Sequence, residues 1–78
     1  MARLVFLGKL ADRAGAAEMA VEPGLLAGIL GGLPAALAVA VLDERVRIAL
    51  NGELIANPES IELTAGDELA FLPPVSGG

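Results

Sequence analysis

Few residues in this 78-residue chain could carry reaction chemistry. It has no histidine and no cysteine, so the usual general base, thiolate nucleophile and zinc ligands are absent. Ser60, Ser76, Thr64 and Lys9 remain as potential nucleophiles, none with a base placed nearby by the local sequence. The acidic pairs Asp43-Glu44 and Asp67-Glu68 could act as acid and base, but they bound apolar strands and read better as solvated turn residues. What is left is the final stretch, FLPPVSGG, residues 71–78.

Gly77 and Gly78 lack a Cβ, so the backbone there can enter a narrow channel and take φ/ψ values closed to other residues. A carboxylate on Gly78 would be open to a partner enzyme. An α-carboxyl has a pKa of about 3.3–3.7, so at neutral pH it is ionised and a poor electrophile. It must be activated first, by acyl-adenylation with ATP carried out on another protein. The adenylated glycine could then take sulfur to become a thiocarboxylate, or take an amine to become an amide. The first outcome is a sulfur carrier and the second a protein modifier. Pro73 and Pro74 suit both, because they fix φ near −65° and remove two backbone donors, so the chain leaves its last strand in an extended form. Less entropy is then lost when the segment Pro73, Pro74, Val75, Ser76, Gly77 and Gly78 threads into a partner's channel.

Composition narrows the partners. Ten acidic and five basic residues give a net charge of −5, which disfavours the phosphate backbone of nucleic acid and suits a basic protein surface. The absence of cysteine makes a reducing cytoplasm the default compartment. Residues 24–42 carry no charge and approach the length of a membrane span, but Pro34 behind Gly31-Gly32 divides them into two short helices. The opening MARLVFLGKLADRAGAA mimics a secretory signal, yet Lys9, Asp12 and Arg13 interrupt the apolar run too early. Neither a membrane nor nucleic acid is expected as a partner.

The elements that must position the last segment follow from periodicity. Residues 3–7 predict a first strand, apolar enough to be central, and ADRAG predicts a turn. Met19 and Val21 alternate with Glu18, Ala20 and Glu22 as a half-exposed second strand. Pro23 opens a helix with Leu26, Ile29, Leu30 and Leu33 on one face, closed by Gly31-Gly32 at positive φ. Pro34 opens a second, with Leu37, Val41 and Leu42 as its buried stripe. A strand from Arg45 turns Val46, Ile48 and Leu50 inward and Arg47 and Ala49 outward, and Asn51-Gly52 predicts a type I′ hairpin. NPES is a loop, Ile61 and Leu63 share one face of a short stretch, TAGD is a turn, and DELAFL is the last strand. Leu69 and Phe71 then face the core, with Ala70 and Leu72 opposite. One sheet over one helical layer, with first and last strands as a parallel central pair, is an α+β, ubiquitin-like β-grasp arrangement on one or two short helices. Residues 1–72 make the domain and 73–78 an extended tail.

At this point RLVFLGKLADRAG, VRIALNGELI and above all GDELAFLPPVSGG resemble the small subunit of molybdopterin synthase, in the MoaD and ThiS group of sulfur carriers. Carriers of thiamin biosynthesis share the final Gly-Gly but usually lack the double proline, so Pro73-Pro74 favours molybdopterin. The resemblance implies that an E1-like enzyme adenylates Gly78 with ATP, that a sulfur donor converts it to a thiocarboxylate, and that the tail enters a large synthase subunit. There sulfur would pass to a pterin precursor, with the remaining catalytic residues on the large subunit and no cofactor bound by this chain. Docking through residues flanking the tail and the first strand implies Leu7, Phe71 and Leu72, with aliphatic Leu7 and Leu72 departing from the aromatic ring of some relatives. A carrier for thiamin, tungsten cofactor or tRNA thiolation, and a ubiquitin-like modifier, are the alternatives.

Overall fold

The protein is described as a computed structural model over residues 1–74. Strand β1 (Ala2–Phe6) lies between β2 (Glu18–Val21), antiparallel to it, and the last strand, β7 (Glu68–Leu72), parallel to it. On the other side of β7 run β4 (Arg47–Leu50) and then β5 (Glu53–Leu54), giving the order β2-β1-β7-β4-β5. The parallel central pair and β-grasp order are those the apolar character of the first and last strands predicts. A two-stranded ribbon, β3 (Gly24–Leu25) with β6 (Glu62–Leu63), closes one flank.

Alternation sets the inner face. Leu4, Phe6, Leu69 and Phe71 are buried from the two central strands, and Phe6 stacks on Phe71 with ring centroids 5.5 Å apart. Against them pack Leu26 and Leu30 of helix α2 (Leu26–Gly31) and Leu37 and Val41 of helix α3 (Ala35–Val41). Pro34 caps the start of α3 as predicted, whereas Pro23 does not open α2: it precedes the ribbon, and the helix begins at Leu26.

Four expectations need correction. The ADRAG turn is part of a third helix, α1 (Lys9–Ala14), which buries Leu10 and packs Ala14 against the core, ending on Gly15 at φ 78. Lysine, leucine, alanine and arginine are all good helix formers, and a glycine just past the end is the usual stop. Gly32 closes α2 at φ −88, so the expected positive φ is absent; amides of Gly32 and Leu33 bond back three residues to Ile29 and Leu30. Leu42 is 61% exposed, because the helix ends at Val41 and Leu42 has left the buried stripe. Ala49 alternates outward as expected but is buried, in register between Ala70 and Leu54 on the neighbouring strands.

The Asn51-Gly52 turn has φ 50 and 88, the positive pair that the type I′ hairpin requires. The Asn51 side chain does more than bend: its amide donates to Asp67 Oδ1 at 3.1 Å and its oxygen accepts from the Glu68 amide at 3.0 Å. Asp67 Oδ2 in turn accepts from the amide and hydroxyl of Thr64. The hairpin and the turn into β7 are thus one hydrogen-bonded unit that sets where the last strand starts.

Candidate functional site

Strand β7 is paired on both sides to its end. Phe71 stands opposite Phe6 on β1 and Ile48 on β4, Leu72 opposite Arg47, and the Leu7 amide donates to the Phe71 carbonyl at 3.2 Å. Pro73 has no amide hydrogen, so the ladder stops there and the chain departs from the middle of the sheet. A strand held by two neighbours is the stiffest place from which to launch a tail. Pro73 is half-buried and Pro74 exposed. Val75, Ser76, Gly77 and Gly78 lie outside the described residues, and the predicted adenylation site with them.

The residue against which the tail is seated is Gly8. Its φ is 56, in the left-handed region, and a Cβ built on it would fall 3.0 Å from Pro73 Cγ. Two separate constraints, backbone conformation and space, therefore call for glycine. Nothing in the sequence reading singled out Gly8. The signal was available, however: once Phe6 and Phe71 pair in parallel, Gly8 is level with Pro73.

Around this root, two shallow hollows border Pro73 and Pro74. Lys9, Arg13 and Arg45 line one, Arg45 and Arg47 the other, with Asp43 and Glu44 the only acids among the lining residues. Asp43 and Arg45 satisfy each other: the Arg45 amide and Nε donate to Oδ1 at 2.9 and 3.1 Å, and its terminal nitrogen to Oδ2 at 3.0 Å. These hydrogen bonds hold the Asp43 carboxyl down at about 2 and push the Arg45 pKa up.

The predicted docking residues separate. Leu7 is 42% exposed and Leu72 half-buried, both at the tail end of the sheet. Phe71 is a correction: it is wholly buried on the inner face and stacked on Phe6, so its ring offers no surface to a partner. The outer face carries Val5, Ala70, Ala49 and Leu54 across neighbouring strands, with Leu54 68% exposed. Sequence alone gave no means of joining these four.

The other candidate groups are occupied structurally. Thr64 belongs to the Asp67 turn, and the Ser60 hydroxyl donates to the Asn57 carbonyl at 3.1 Å. Among the described residues no three His, Cys, Asp or Glu side chains group as a metal site, and no helix is long and apolar enough to cross a membrane.

A helix-backed mixed sheet whose central strand ends in a seated proline defines a class: a ubiquitin-like β-grasp domain built around its C-terminal strand. Residues 4–78 match the ThiS family, and the chain belongs to it, among the ubiquitin-like sulfur carriers of ThiS and MoaD type. The crystal structure of SAMP1 from Haloferax volcanii is 30% identical, with a TM-score of 0.77 over 99% of this chain and 98% of that one. Subunits 1 and 2 of the molybdopterin-converting factor from Helicobacter pylori, solved as a complex, include a match of 26% identity and TM-score 0.66, covering 99% and 97%. Urm1 from Sulfolobus solfataricus, 17% identical with a TM-score of 0.74 over 91% and 97%, shares the fold. No curated protein matches the sequence.

Proposed function

We propose that this chain is the sulfur-carrying small subunit of a molybdopterin synthase. The observation that carries the proposal is the family match running through residue 78, on a domain whose last strand is held on both sides and released at Pro73-Pro74. The likeness to a molybdopterin-converting factor subunit solved with its partner supports a large-subunit partner for this chain. In this reading Gly78 is the reacting residue. Its carboxylate attacks the α-phosphorus of ATP on an E1-like enzyme and pyrophosphate leaves; sulfide-level sulfur from a donor then attacks the acyl carbon and AMP leaves, giving the thiocarboxylate. Delivery of that sulfur to a pterin precursor in the large subunit passes through an acyl-sulfur bond to the precursor. Water cleaves that bond at the acyl carbon, leaving sulfur on the precursor and restoring the carboxylate. The chain binds no cofactor of its own, since ATP is consumed on the activating enzyme, and it works in the cytoplasm. Pro73 and Pro74 limit the directions in which the tail can leave, Val75 and Ser76 span the channel, and Gly77 keeps the approach to Gly78 open. Leu7 and Leu72 flank the root as apolar docking contacts.

A second reading, a protein modifier, is favoured by the 30% identity to SAMP1 and the 28% identity to small archaeal modifier protein 1, both from Haloferax volcanii. Mass spectrometry of the chain isolated from its host distinguishes them. An oxygen-to-sulfur exchange at Gly78, together with restored molybdoenzyme activity when the gene is returned to a deletion strain, is the expected result. Isopeptide adducts on many proteins without a thiocarboxylate would overturn it. Deleting Gly78 should abolish sulfur transfer and leave the thermal melt unchanged.

A further inference from the structure

The distribution of cations around the tail root goes beyond what the tail itself requires. Four of the chain's five basic residues, Lys9, Arg13, Arg45 and Arg47, line the two hollows beside Pro73 and Pro74. The fifth, Arg3, sits on the outer face bound by Glu18 at 2.8 Å and Glu68 at 2.5 Å. At the opposite end, where β1 and β7 begin, stand Glu22, Glu53, Asp67 and Glu68. Acids are interspersed at the tail end: Asp43 is bound by Arg45, Glu44 lines one hollow and Asp12 stands on α1. Within a domain of net charge −5, the cations Lys9, Arg13 and Arg47, unpaired among the described residues, still form a collar there. Lys9 and Arg13 are one helical turn apart on α1, so Leu10 and Ala14 can face inward while both cations face out. Arg47 reaches the same end from β4, opposite Leu72. Among the described residues, no carboxylate lies within ion-pair distance of Lys9, Arg13 or Arg47.

We infer that this collar docks onto a ring of carboxylates around the mouth of the partner channel that receives the tail. The occupant is an acidic protein surface, and the inference rests on the tail-insertion reading above. Charge complementarity is the reason. An overall negative domain approaching an acidic surface is repelled unless its cations lead, and here they surround the segment that must enter first. The effect belongs mainly to the association rate, because rim charges steer the encounter while apolar contacts such as Leu72 hold the complex. Net charge alone suits a basic partner surface; the collar gives the tail end the opposite sign.

The test measures association of the full chain with the host's own E1-like enzyme and large synthase subunit by stopped flow. For the native chain the on-rate should fall about tenfold or more between about 20 and about 300 mM salt. The variant Lys9→Gln/Arg13→Gln/Arg47→Gln should start about tenfold slower and lose most of that salt dependence, with its melt unchanged. Ala20→Glu/Ala27→Glu/Ala65→Glu, at exposed positions away from the root, has the same net charge and should keep most of the native rate. Equal slowing by both triples, or a salt-independent native rate, overturns the collar while leaving the tail reading intact. Binding to neither protein under any condition overturns both. ATP alone is the remaining probe: selective NMR shifts at the three cations would make the occupant a nucleotide and overturn the proposal.

Discussion

Gly8 is where a single atom matters most. Alanine there would have to adopt φ 56 and place its Cβ 3.0 Å from Pro73 Cγ. Left-handed backbone costs an L-residue about 1–2 kcal/mol, and in a domain of this size each kcal/mol lowers the melting temperature by about 4–8 °C. Gly8→Ala should therefore melt lower and also form thiocarboxylate more slowly, as the tail root shifts. Adding Pro73→Ala should recover part of the loss; strict additivity in the double-mutant cycle would show that the contact carries no energy. Phe71 and Leu72 are adjacent and behave oppositely. Phe71→Ala should cost about 3–5 kcal/mol in a urea melt, near the whole stability of a small domain. Leu72→Ala should cost about 1 kcal/mol or less and instead weaken binding to the large subunit.

At the scale of elements, the turn into β7 couples stability to acid. Amide and hydroxyl hydrogen bonds from Thr64 and Asn51 hold the Asp67 pKa below its ordinary 3.8, led by the Thr64 amide. A carboxylate with a lowered folded pKa stabilises above its unfolded value and loses that contribution as pH falls through the lowered one. Asp43, held at about 2 by Arg45, adds to the same window, from 3.8 downward. Asp67→Asn should be less stable than the native chain at neutral pH, and the difference should close as both are acidified through that window. Urea melts along a pH series check this; a gap that stays constant would place the effect elsewhere. The turn itself was legible, since Asn-Gly and Gly-Asp are strong local signals. That the two turns share hydrogen bonds was not, because Asn51 and Asp67 are sixteen residues apart in the chain. Helix α1 was not legible: only Leu10, Ala11 and Ala14 mark its inner face, too few for a periodicity to stand out.

On the scale of the whole molecule, sequence by itself determined most of the elements and narrowed where chemistry could sit. Period-two alternation chose the faces of β1 and β7, proline and glycine marked the divisions between helices, and the lack of histidine and cysteine left FLPPVSGG as the reactive candidate. These are local or compositional properties, legible without knowing which segments meet. Only the tertiary structure decided the surroundings of the tail. Lys9 and Arg13 from a helix, Arg45 from a turn, Arg47 from a central strand and Gly8 from the end of β1 converge on Pro73 because β1 and β4 flank β7. Net charge sums over the chain and discards position, so it could not show that the fold gathers Lys9, Arg13 and Arg47 at the tail end. Strand order brings together residues more than sixty positions apart, and no short-range pattern encodes which end of a sheet their side chains will share.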